Sequence, residues 1–156
     1  MNCRTIFHFI EFVKGTYNFT FLYLCFVVLP PPTKLELTLA GKAKEEQSWV
    51  ASGTFKIADG VINGYPYWLK TDGNQAIWFD KVGSNWKVYD KSRLGENFGG
   101  ITGASGKDSY PDEIKQGWRY AIPNNDWEDV GPNDIIFKAF LLSQNYVQLC
   151  QATSGT

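Results

Sequence analysis

The acidic residues Asp80, Asp90, Asp126, Glu128, Asp129 and Asp134 are the chain's densest supply of groups that do chemistry. Two carboxylates facing each other across a cleft hydrolyse a glycosidic bond, one as acid and the other as base or nucleophile. Many pairs are available here and no spacing singles one out. His8 is the only histidine and lies close to the N-terminus. The remainder of the chain therefore has no Ser–His or Cys–His nucleophile pair and no histidine for a zinc set. Cys3, Cys25 and Cys150 are an odd, scattered set, and Cys150 has no basic sequence neighbour to make it reactive. The chain carries no signature of a cofactor, a metal or a catalytic nucleophile. A carboxylate-dependent hydrolase is the enzymatic alternative to a non-catalytic reading.

Binding chemistry is more visible. Flat aromatic rings beside Asp or Asn form the usual platform for a sugar: the ring covers the C–H face and the oxygens take the hydroxyls. Tyr67 with Trp68, and Trp127 with Asp126, have this composition. The run Asn124, Asn125, Asp126, Trp127, Glu128, Asp129 is rich in the oxygen ligands that Ca²⁺ prefers, but Asp129 occupies the sixth position, where an EF-hand loop requires Gly. A turn-rich acidic loop without metal is the simpler reading. The Gly-rich stretch 92–107 superficially resembles a phosphate loop. Asp108 follows Gly106 and Lys107 where Ser or Thr is needed, and Ile101 stands at the first Gly position, which excludes it.

The elements that must hold these residues are short strands. Residues 65–70, 75–81 and 86–90 are rich in aromatic and β-branched side chains and are separated by Asp72-Gly73-Asn74 and Gly83-Ser84-Asn85, which predicts a three-stranded meander with a tryptophan in each strand. In the middle strand Ala76, Trp78 and Asp80 point one way and Ile77 and Phe79 the other, so both faces require cover. In the next strand Trp86, Val88 and Asp90 oppose Lys87 and Tyr89. Pro66 has no N–H, which assigns the strand carrying Tyr67 and Trp68 to the periphery. Residues 35–39 alternate with period two and 52–57 form the next strand. Residues 41–47 are a polar loop or helical turn, and Ile62-Asn63-Gly64 is turn chemistry. A short strand at 100–102 and a hairpin carrying Trp118 and Trp127 follow. The apolar run 134–142 reads as a central closing strand.

Composition agrees with one domain. The chain has 156 residues, is 16% aromatic, and its six tryptophans all lie between positions 49 and 127, which places the core there. Burying one such ring removes roughly 150–250 Å² from water, about 4–6 kcal/mol before entropy. Six can carry a small core, with one or two partly exposed. A formal net charge of -1 without a basic run excludes nucleic acid as an expected partner. Residues 1–33 are a hydrophobic leader holding six phenylalanines and ending in Pro30-Pro31-Pro32. Three readings stand for it: a signal sequence or short anchor, a buried element of the domain, or a start foreign to the natural protein. The first implies a secreted or membrane-associated protein, with membrane contact only through an uncleaved anchor. Otherwise a cytoplasmic protein is expected. The domain is 34–150 and the polar tail 151–156.

The string Asn63-Gly64-Tyr65-Pro66-Tyr67-Trp68, with Ile77-Trp78-Phe79, Trp86-Lys87-Val88, Gly99-Gly100-Ile101, Trp118 and Trp127, resembles a Trp/Gly-rich module of large multidomain eukaryotic proteins, over roughly residues 35–142. The resemblance implies an all-β scaffold and brings no catalytic residues. The expectation is an all-β, compact antiparallel domain, sandwich-like or barrel-like. It would act as an interaction module for protein or carbohydrate, with Tyr67, Trp68, Trp127 and Asp126 as candidate ligand-binding residues; a purely structural or spacer domain is the remaining alternative.

Overall fold

Alternating apolar residues build the first strand of a nine-stranded antiparallel sheet, and the same alternation recurs along the chain. The computed structural model describes residues 4–12, 21–47, 52–103, 109–122, 126–131, 133–141 and 149–152. The chain divides into two units, one of residues 1–2 and 31–142, the other of residues 3–30 and 143–156.

In the smaller unit β1 (Arg4–Phe12) pairs with β2 (Phe21–Leu29) as an antiparallel hairpin, Arg4 opposite Leu29 and Phe12 opposite Phe21. Residues 4–12 and 21–29 of the hydrophobic leader are thus strands, which their Phe and Val content favours. A segment near the C-terminus, Leu149–Ala152, adds to the other edge of β2 and sets Cys150 opposite Cys25. Gln151 and Ala152 belong to that strand, whereas 153–156 of the expected tail lie outside the described residues.

Among the described residues the larger unit is all-β apart from one short α-helix and two single 3-10 turns, Lys91–Arg93 and Pro111–Glu113. It contains β3 (Lys34–Leu39), α1 (Gly41–Glu46), β4 (Gly53–Ile57), β5 (Trp68–Lys70), β6 (Gln75–Asp80), β7 (Asn85–Asp90), β8 (Ile101–Thr102), β9 (Arg119–Ile122), β10 (Asp126–Asp129) and β11 (Ile135–Phe140). The strand order is β10-β9-β8-β7-β6-β5-β4-β3-β11, so neighbours in the sheet are neighbours in the chain except where β11 returns to β3. The sheet curls into a half-barrel. Its two ends approach through side chains: Trp118, just before β9, packs on Phe137 of β11 with ring centroids 4.7 Å apart. Gly103 permits this, since a Cβ there would come within 2.9 Å of the Trp118 ring.

The register carries one parity to the concave face throughout. Leu35 lies opposite Phe55, Trp68 opposite Ile77, Phe79 opposite Trp86, Val88 opposite Ile101, and Ile101 opposite Tyr120. These residues, with Leu37, Leu39, Trp118, Ile135 and Phe137, form one buried cluster. Buried indoles need an acceptor, and each finds a carbonyl: Trp68 donates to Pro32 O at 2.7 Å, Trp86 to Ser109 O at 2.8 Å and Trp118 to Ile114 O at 3.0 Å. Both faces of β6 are buried, as its sequence requires. Its convex face, with Trp78 donating to Glu96 O, is covered by the 91–100 segment, which the Asn63 amide holds through Phe79 O and Gly95 O. Asn63 and Gly64 take positive φ of 55° and 86°, as the turn chemistry predicts.

Two expectations are corrected. The strand carrying Trp68 is not peripheral: β5 runs between β4 and β6, and Trp68 is 0% exposed. Pro66 precedes the strand, where its missing N–H interrupts no ladder bond, so it does not force an edge position. The run at 134–142 is not central either. β11 is an edge strand whose burial alternates, Ile135 and Phe137 inside, Ile136 and Lys138 outside, so its apolar composition only mimics a strand buried on both faces.

Candidate functional site

The parity that sends Trp86 and Val88 into the core turns Asn85, Lys87 and Tyr89 to the convex face, and pairing extends that face across four strands. Lys87 lies opposite Thr102, Thr102 opposite Arg119, and Ala121 opposite Trp127. These residues floor a groove of about 750 Å³. One wall is Asn97, Phe98 and Gly99; Gln47, at the C-terminal end of α1, and Asp126 complete the lining.

Lys87 is the central charge. Its side chain is 6% exposed, and its Nζ lies 4.0 Å from Asp80 Oδ2 and 5.5 Å from the centroid of the Trp127 ring. Burial pushes its pKa below the usual lysine value, with Asp80 opposing the shift. Asp80 is itself buried and engaged: its Oδ1 accepts the N–H of Val82 and its Oδ2 that of Gly83, each at 2.9 Å. Gly99 lets the wall lie against the lysine stem, because a Cβ there would come within 3.0 Å of Lys87 Cδ.

Three polar atoms of the lining are buried without a hydrogen-bond partner among the described residues: Asn85 Oδ1, Thr102 Oγ1 and Gln47 Oε1. The Gln47 side chain is nevertheless fixed, since its Nε2 donates to Ala121 O at 2.7 Å. Arg119 is held by Asp129, Nε to Oδ1 at 2.8 Å. The surface offers two cations, three side-chain amides, two hydroxyls and one half-buried indole ring, with Asp126 the single carboxylate among the described lining residues.

The structure divides the candidates from the sequence. Trp127 and Asp126 lie together on β10 and line the groove. Trp68 is wholly buried in the core, edge-on to Trp86 at 5.6 Å, so the expected platform on it is corrected: no face of the ring is left for a ligand. Tyr67 is half-buried, donates to Asp59 O at 3.2 Å, and is not among the lining residues. The acidic run at 124–129 does not converge: Glu128 pairs with Lys42, Asp129 with Arg119, and Asp126 Oδ1 accepts the N–H of Trp127. Asn124 and Asn125 of that run, and Trp49, lie outside the described residues.

Lys87, Thr102, Asn85 and Gln47 are not singled out by sequence reasoning. A signal for Lys87 was present: β6 needs cover on both faces, and Lys87 lies opposite Trp78 on the outer one, so the lysine must share that cover. Nothing local distinguishes Thr102 or Gln47, which reach the groove through strand pairing and the end of a helix. No family model, curated protein or solved structure matches the chain.

Proposed function

We propose that this chain is a non-catalytic binding module whose convex groove takes a carbohydrate, with Trp127 as the apolar platform. The observation that carries the proposal is the set of buried lining atoms, Asn85 Oδ1, Thr102 Oγ1 and Gln47 Oε1, that lack partners among the described residues. Such an atom costs about 1–3 kcal/mol when left unsatisfied, and three of them gathered along one groove invite a partner from outside the fold. A sugar supplies hydroxyls to those atoms and a C–H face to the indole. The groove's volume, about 750 Å³, falls within the usual size of small-ligand sites. Of the two ligand classes expected from the sequence, protein and carbohydrate, the polar lining favours the second. Glycoside hydrolysis uses two carboxylates, and the described lining offers Asp126 alone, which favours binding over cleavage.

Calorimetric titration with a panel of neutral and acidic oligosaccharides tests this. At least one should bind the wild-type protein and lose most of its affinity for Trp127→Ala, while that variant keeps its thermal unfolding transition. A panel with no binder, or equal binding by Trp127→Ala, overturns the reading.

A further inference from the structure

Resting on that reading, we infer that the saccharide bears an anionic group, a carboxylate or sulfate, that docks on the Lys87 ammonium. Burying an ammonium costs several kcal/mol unless a counter-charge meets it at hydrogen-bonding distance. At Lys87 none does. Asp80 Oδ2 is 4.0 Å away, and both Asp80 oxygens already accept backbone N–H groups of the β6–β7 turn. The Trp127 ring, at 5.5 Å, lies near the outer limit of a cation–π contact. The three N–H donors of Lys87 have no acceptor within hydrogen-bonding reach among the described residues, although the side chain is 6% exposed.

The lining also holds both donors and acceptors. Lys87 and Thr102 are register partners on the same face, and the Thr102 hydroxyl has no partner among the described residues. An ammonium and a hydroxyl lining one groove can both donate to the oxygens of an anionic sugar. Asn85 Oδ1 and Gln47 Oε1 can only accept, and they suit the hydroxyls of the ring that carries the anion. The remaining charges do not oppose it: Arg119 adds a cation, held by Asp129, and Asp126 has one oxygen committed to the Trp127 N–H.

The experiment compares two pairs of probe sets on the full chain: tri-uronates of galacturonic, guluronic and mannuronic acid with their methyl esters, and a sulfated galactose disaccharide with its unsulfated form. A uronate or the sulfated sugar should bind at least about tenfold tighter than its neutral counterpart, the weight of one charge-assisted hydrogen bond. That preference should fall with added salt and vanish in Lys87→Met and Lys87→Gln. Preference for the uronates identifies a carboxylate, and preference for the disaccharide a sulfate. Equal affinity for acid and ester overturns the inference and leaves the carbohydrate reading standing. If no probe and no neutral oligosaccharide binds, both fail together.

Discussion

The two faces of β7 are built from alternate residues of one strand, yet they have opposite chemistry. On the concave face Trp86 and Val88 pack against rings and aliphatic side chains, and the one polar atom brought in, the Trp86 indole N–H, has its acceptor. On the convex face Lys87 is buried to a similar degree and Asn85 in part, but Asn85 Oδ1 and the Lys87 ammonium lack hydrogen-bond partners among the described residues. A face that served only packing would hold apolar residues, because replacing a buried ion pair such as Lys87 and Asp80 by hydrophobic residues is often neutral or stabilising. The contrast teaches that the inner face carries the stability and the outer face retains polar groups at a cost to it. The proposed binding role would account for that cost.

The largest expected effect breaks the concave face. Trp86→Ala removes a ring that contacts Trp68, Phe79, Tyr65 and Tyr110, and should cost about 3–5 kcal/mol, enough to unfold much of the protein in a denaturant titration. Trp127→Ala, on the half-buried convex face, should cost far less by the same measurement. Equal losses would erase the distinction between core and platform.

Next comes the buried charge itself. Lys87→Met should weaken the binding of an anionic sugar and, because desolvation of the ammonium outweighs its attraction to Asp80, should leave stability at neutral pH undiminished. A loss of stability would show that the 4.0 Å contact with Asp80 outweighs desolvation. The sign with pH follows from the lowered pKa. The folded state resists protonating Lys87, so its penalty is present below the folded pKa and is relieved as pH rises from that value toward the ordinary 10.5. Wild-type stability should therefore gain on the alkaline side relative to Lys87→Met.

The smallest effect contrasts that lysine with an exposed one. Lys42 is raised above 10.5, mainly by its hydrogen bond to Glu128, and the same bond lowers Glu128 below 4.5. Their mutual stabilisation is present across the neutral range. It fades as pH falls through the folded value of Glu128 and as pH rises through that of Lys42. Lys42→Gln should remove both shoulders from the stability profile, with an effect that shrinks in high salt because the pair is exposed. The two lysines should thus give alkaline slopes of opposite sign.

Much of the fold is legible in the sequence because strand periodicity and turn chemistry are local. The residues of β6 and β7, the Asn63-Gly64 turn and the burial of both faces of β6 follow from nearest neighbours alone. Half of the candidate site is legible for the same reason: Trp127 beside Asp126 is a local pattern. The pattern at Tyr67 and Trp68 is equally local and misleads, because whether a ring faces ligand or core depends on which strands flank it.

By itself the sequence determined the all-β class, the strands and which residues share a face, since period-two alternation is written into each strand. Only the tertiary structure decided that β5 is interior, that β11 is an edge, and that Gln47, Lys87, Thr102 and Trp127 line one groove. Those outcomes depend on pairing register between distant segments and on the curl of the sheet, and no short stretch of sequence encodes either.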